Sequence, residues 1–333
     1  MTAINPADEL MHPVAGEAAW SESYYFNFVD PDSGLAMFTR MGFRPGDGWA
    51  DALHVVYLGG DRVAFTHGRR DINSNLAHYN GDLQAGQLKL VCDEPFGRWR
   101  ILYDGPAQDI ADAAILLERS RTRPEGWFKP AHLKMAVTFD ALYPPHYAAS
   151  GDKGHFEQTG RVQGEISIGN DQFTVYGYGV RDKSWGPRDW GAAGSSTGSE
   201  QDTRVSAGPA PFVNWFSMNF GPDLAMGGSC FRTGDGSLRG SGWLQREGKN
   251  HELSDVVISS RYKPDSILHT DITLHARCDG SDILVEGRVL TVCPTKIPMP
   301  GGATFVNEGL AAFECEGRTG YGISEHWHMV RKT

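Results

Sequence analysis

The sequence holds 333 residues, 40% hydrophobic and 22% charged, with a formal net charge of −10. That balance excludes an intrinsically disordered chain, and the surplus of acid leaves no cationic reserve for neutralising nucleic-acid phosphates. The length is generous for one hydrophobic core and comfortable for two. No stretch approaches the roughly 18–20 unbroken apolar residues of a membrane-spanning helix. Met1–Glu17 lacks the basic-then-apolar order of a signal peptide. Cys92, Cys230, Cys278, Cys293 and Cys315 are dispersed without CxxC spacing. They read as reduced, buried thiols, and the expected compartment is the cytoplasm.

In chain order, the predicted elements are short alternating runs. They are Leu53–Leu58, Val63–His67, Gln87–Cys92, Leu133–Phe139, Glu165–Ile168, Phe173–Val180, Phe212–Phe220, Val256–Ser260, Thr270–Ala276 and Ile283–Val292. Each is rich in β-branched or aromatic residues and closed by Gly, Asp, Asn or Pro, which is the pattern of an antiparallel sandwich or barrel. Helical periodicity is nearly absent. Ala107–Ser120 is the best candidate, with Ile110, Ala114, Leu116 and Leu117 as an apolar stripe. Gly191–Pro211 is small, polar and almost free of large apolar side chains, so it reads as a linker, or as a lid over a neighbouring site. The expected domains are therefore 1–190 and 191–333.

Functional groups concentrate in His155–Trp190. Two strand-like runs flank Gly169-Asn170-Asp171-Gln172, a hairpin turn signal. With Asn170 and Asp171 as the turn, Thr159 faces Asp182 and Glu157 faces Ser184. One face of the hairpin then carries Glu157, Thr159, Arg161, Gln163, Tyr176, Tyr178, Asp182 and Ser184, with His155 just beyond. Phe156, Val162, Ile166, Ile168, Phe173 and Val175 form the other, core face. Beyond it, Arg181–Trp190 packs two Arg–Asp dipeptides and two tryptophans into ten residues. Such a run serves either as an ion-pair clip, with Arg161 or Arg188 on Asp182, or as the wall of a pocket holding a carboxyl group.

Gly179-Val180-Arg181-Asp182-Lys183-Ser184-Trp185-Gly186 resembles the G-x-x-D-x-x-W-G signature of the carotenoid 1,2-hydratase and AttH-like superfamily, in particular a bacterial branch of it. The resemblance implies an all-β fold of two tandem lipocalin-like barrels. It also implies an activity related to hydration of isoprenoid double bonds, or to the pericyclic cyclisations of fungal relatives. His155, 27 positions before Asp182, stands about where the hydratases carry a functional His, and the signature implies roles for Tyr178 and Asp182. Glu157 stands where the hydratases carry a Trp. At the fold level the resemblance extends to Trp20–Tyr25 and Tyr321–Glu325.

Other chemistries find little support. His54, His67, His326 and His328 lack zinc spacing, Gly194–Gly198 sits in the linker rather than in a nucleophile elbow, and no dinucleotide fingerprint follows a strand. The leading expectation is a cofactor-independent hydratase, dehydratase or related lyase, acting on a hydrophobic isoprenoid or aromatic small molecule at the domain junction. Asp182 would be the proton donor, Tyr178 and Trp185 would face a developing cation, and His155 or Glu157 would handle water or the second proton. Tyr176, Trp185, Trp215, Arg181 and Arg188 would bind substrate, and no metal is expected. Trp215 reads first as a core residue and second as a pocket wall, and Glu308 and Glu325 read first as solvent-exposed acids and second as supporting partners of the site. The competing classes are an isomerase or cyclase, and a lipid or pigment carrier.

Overall fold

The computed structural model describes residues 4–14, 16, 19–149, 151, 153–188, 211–233, 236–299 and 302–331. The expected boundary residue Trp190 and the linker through residue 210 lie outside the described residues. The chain is all-β, in two compact units. The first takes most of the chain up to Arg188 and the second most of the remainder, with Ala113–Pro124 grouped in the second. Among the described residues no helix is long and apolar enough to cross a membrane.

In the first unit, β1 (Trp20–Asp30), β2 (Leu35–Arg44), β3 (Trp49–Tyr57) and β4 (Val63–Asp71) form a meander. β5 (Leu83–Ala85), β6 (Leu88–Glu94), β7 (Arg98–Ile110), β8 (Lys129–Ala141), β9 (His146–Ala149), β10 (Gly154–Ile168) and β11 (Asp171–Pro187) come after it. Along the sheet the order is β4-β3-β2-β1-β11-β10-β8-β7. Pairing of Val63, Ala64 and Phe65 with Ile110, Asp109 and Gln108 brings β7 back to β4 and turns the sheet on itself. Phe156, Val162, Ile166, Val175 and Trp185 join Phe26, Met37, Trp99 and Phe139 in its interior. The second unit is a closed eight-stranded barrel of β12 (Val213–Asn219), β13 (Leu224–Arg232), β14 (Leu238–Arg246), β15 (Lys249–Tyr262), β16 (His269–Cys278), β17 (Ser281–Met299), β18 (Gly302–Cys315) and β19 (Arg318–Arg331).

Two local expectations need correction. The β10–β11 turn is Gly169-Asn170, with Ile168 opposite Asp171. Gly169 takes φ +57, which a glycine adopts without strain, so the turn closes one residue earlier than expected. The register moves by two residues, which leaves every side chain on its expected face. The helix expected over Ala107–Ser120 is also replaced. β7 continues to Ile110 because β8 and β4 take its backbone hydrogen bonds, and only 3₁₀ turns come next, at Ala113–Leu117 and Ser120–Thr122. Ladder pairing outweighs weak helical propensity there.

The signature strand alternates between two environments. Arg181, Lys183 and Trp185 point into the first barrel, where a 3₁₀ turn at Pro6–Glu9 brings Glu9 and Met11 among them. Lys183 Nζ donates to Glu22 Oε1 at 2.7 Å and to the Leu10 carbonyl at 2.9 Å. His12 stacks on Trp185 at 4.1 Å, with Nδ1 3.0 Å from Glu22. Glycine lets β11 lie this close to β1: a Cβ at Gly179 would collide with the Asn27 carbonyl oxygen.

Polar groups also line the second barrel. His326 lies between the Tyr262 hydroxyl, 2.9 Å from Nδ1, and the Asn214 amide, 2.8 Å from Nε2, and it stacks on His269 at 3.7 Å. Burial pushes His269 down to about 3, His328 to about 4 and His326 well below its usual range; His54, inside the first barrel, falls to about 3. These imidazoles fold neutral, whereas in the unfolded chain they titrate near 6.5. The stability they contribute is therefore complete above about pH 6.5 and is lost as pH falls toward their folded values, at about 1.4 kcal/mol per pH unit for each histidine. His155 and Asp182, both raised, work in the opposite sense. A denaturation midpoint falling steeply between pH 6.5 and 4.5 is expected, and a flat profile there would contradict the buried neutral histidines.

Candidate functional site

On its outer side, the first barrel carries a row of polar side chains drawn from five strands. Glu157 on β10 is the direct cross-strand partner of Asp182 on β11. Tyr25 on β1 opposes Asp182 from the other side, Arg40 on β2 opposes Tyr25, and His146 on β9 opposes Glu157. One step along lie His155, Ser184 and Ser23, the two serine hydroxyls 2.9 Å apart. Glu157, Thr159, Val180, Ser184, Ser23 and Tyr25 are all buried.

Two carboxylates directly opposed on one face repel each other unless something intervenes. His155 intervenes. Its Nε2 lies 2.9 Å from Glu157 Oε1 and its Nδ1 lies 3.5 Å from Asp182 Oδ2. Burial raises the pKa of Asp182; Glu157 adds to the rise, while His155, Arg188 and Arg40 oppose it without overcoming it. Burial alone would drive His155 toward neutrality, but Asp182 and Glu157 together outweigh it, and its pKa is raised as well. Each of the two thus favours its protonated form more than it would in water, and the His155 ring lies within reach of both carboxyl groups. Two acids and an imidazole are thus held side by side on this face.

The three side chains bring one ligand atom each within 4.8 Å of one another, so they could also hold a divalent cation. A second such group, His251, Cys278 and Asp279, lies at the β15 and β16–β17 end of the second barrel.

The other expected site residues are dispersed. Tyr176 and Tyr178 share the face of Asp182 but pack on each other, rings 6.4 Å apart, with the Arg161 guanidinium 5.6 Å over Tyr176. Tyr176 is 52% exposed, which places this aromatic group at the wet end of the strand. Arg188 is half-buried and near enough to bear on both Asp182 and His155. Arg181 and Trp185 lie on the opposite face, inside the barrel, because successive strand residues alternate sides. Trp215 lies in the second unit on β12, buried, alternating with the core residues Phe216 and Met218. Glu308 and Glu325 are direct cross-strand partners on β18 and β19, both buried.

Sequence reasoning missed Tyr25, Arg40 and His146. The Arg40 guanidinium runs back over Gly42 and pairs with Asp51 at 3.3 Å. No local pattern marks these residues as neighbours of Asp182; only the β1–β11, β1–β2 and β9–β10 pairings do.

Solved structures share this fold. An AttH-like protein of Nitrosomonas europaea superposes with a TM-score of 0.57 at 12% identity, covering 96% of this chain and 99% of its own. CghA gives 0.55 at 11% identity, with 95% and 90% covered. Kievitone hydratase of Nectria haematococca gives 0.51 at 8% identity, with 94% and 89% covered. No curated protein sequence matches the chain. A family profile described as a domain of unknown function, DUF7064, matches residues 5–330.

Proposed function

The chain belongs to the DUF7064 family, and from the buried row on its first barrel we propose that it is a lyase that adds water to, or removes it from, a hydrophobic isoprenoid or aromatic small molecule. The observation that carries this reading is His155 set between two directly opposed acids, with Asp182 raised toward neutrality by burial. A protonated carboxyl beside its own proton-return path suits general acid–base catalysis near neutral pH. The fold is also that of a protein named a hydratase, and a solved structure of CghA holds the molecule Sch210972.

In the dehydrating direction, Asp182 gives its proton to the leaving hydroxyl, the C–O bond breaks and water departs. The neighbouring carbon then gives up a proton, which returns through His155, held by Glu157. Hydration is the reverse, and no net proton is gained or lost. The Tyr25 ring, opposite Asp182, supplies a π-face for the developing cation. Arg181 and Trp185, on the inner face, take no direct part.

The test is incubation with a panel of prenylated aromatics and isoprenoid alkenes in deuterium oxide. Carbon-bound deuterium and a new hydroxyl are expected in one substrate class, and both should vanish with Asp182→Asn. Turnover to a product isomeric with its substrate, with water neither gained nor lost, would point instead to an isomerase or cyclase, and would overturn the lyase reading.

A further inference from the structure

Inside the first barrel, on the face of β11 away from the acid pair, Arg181 is 1% exposed. Its Nη1 and Nη2 donate to the two oxygens of Glu9 at 3.0 and 2.5 Å, and its Nε donates to Gln158 Oε1 at 2.7 Å. The Phe96 backbone N–H donates to the same carboxylate at 2.6 Å. The rings of Phe96, Trp99 and Phe156 stand 5.7, 5.6 and 5.0 Å from the guanidinium carbon. This is a complete receptor for a planar carboxylate: a two-pronged cation, a third donor and aromatic walls.

The carboxylate that fills it is not part of the barrel. Glu9 rides on a segment whose backbone–backbone hydrogen bonds, among the described residues, are internal: Asp8 N to Asn5 O and Leu10 N to Ala7 O. Its ties to the barrel run through side chains. The Tyr24 hydroxyl donates to the Glu9 carbonyl, Lys183 to the Leu10 carbonyl, Met11 N–H to Asn80 and the Tyr147 hydroxyl to Asp8. No ladder must break for the segment to leave. Lys183 is already matched by Glu22, so Arg181 offers one unmatched positive charge once Glu9 departs. A monoanion satisfies that charge. A dianion would bring an uncompensated buried charge.

We infer that the interior of the first barrel is a binding site for a small monocarboxylate with a flat apolar body, filled in cis by Glu9. The carboxylate would dock on Arg181 and Phe96 N–H, and the body would take the space that the N-terminal segment vacates. The site lies on the opposite face from Asp182, so its test is independent of the lyase reading.

Glu9→Ala removes the tethered carboxylate and leaves Arg181 uncompensated, which lowers the thermal midpoint. Acetate and benzoate are then expected to restore the midpoint saturably, by several degrees, while sodium chloride at matched ionic strength does not. Wild type should not respond, because tethered Glu9 has a high effective concentration. Glu9→Ala combined with Arg181→Met should not respond either. Recovery by chloride as strong as by acetate, or an equal response in the double variant, would overturn the site. Acetate without benzoate would overturn the ligand class, reducing the site to the space left by the substitution. If Glu9→Ala does not fold alone, its refolding yield in benzoate against chloride decides the matter in the same way, as does the titration repeated on Glu9→Gln. Equal yields, or a flat titration, would reject the proposal.

Discussion

Asp182→Asn is expected to lower turnover by about 10²–10⁴-fold, the usual contribution of a positioned general acid. The substitution keeps shape and the His155 contact but cannot supply a proton. The fold should survive, because the Asp182 side chain lies on the outer face of β11, opposite the interior ion pairs of Arg181 with Glu9 and Lys183 with Glu22. Turnover in wild type should fall as pH rises through the raised pKa of the Asp182–His155 unit, since the donor is then deprotonated. The variant should lose this alkaline limb. A readout that needs no substrate is the His155 imidazole followed by NMR. It loses one of the two acids that raise its pKa, so its pKa falls in Asp182→Asn. Full activity together with an unmoved His155 would remove Asp182 from the chemistry.

Glu22→Ala should destabilise the protein by about 3–5 kcal/mol, the range for stripping one partner from a buried ion pair. Glu22 and Lys183 are each 0% exposed and meet at 2.7 Å. Removing the carboxylate leaves the ammonium hydrogen-bonded to the Leu10 carbonyl, beside His12 and the Tyr24 and Trp185 rings, with no direct carboxylate partner among the described residues. Burial already depresses the Lys183 pKa, with Glu22 opposing the fall, so the variant lysine gives up its proton more readily in the folded state than in the unfolded one. The stability of Glu22→Ala should consequently rise with pH from neutrality toward about 10, the unfolded lysine value. Replacing both partners, as Glu22→Leu with Lys183→Met, should recover most of that loss, because no charge is left stranded, although the His12 backbone N–H loses its acceptor. Denaturant midpoints of the three proteins at two pH values check both statements. Equal losses in the single and double variants would mean that the pair acts through packing rather than charge.

Period-two alternation decided most of what was legible beforehand. The runs that close on Gly, Asp and Pro became strands, and Glu157, Thr159, Asp182 and Ser184 fell on one face of the β10–β11 hairpin. That outcome survived a turn placed one residue late, because an even shift in register preserves facing. The sequence by itself also determined that Arg181 and Asp182 part company, since adjacent strand residues cannot share a side. It did not determine which side is inside. Only the barrel shows that Arg181, Lys183 and Trp185 turn inward to meet Glu9, Glu22 and His12 from the N-terminal stretch, while Asp182 turns outward to Glu157 and His155. Only the β1–β11 pairing brings Tyr25 and Arg40 beside Asp182, because β1 and β11 are remote in sequence and adjacent in the sheet. The helix expected over Ala107–Ser120 failed for the same reason. Local pattern reports a residue's own preferences, whereas β8 and β4 supplied hydrogen-bond partners from far along the chain, and a ladder of such bonds outweighs a faint helical stripe.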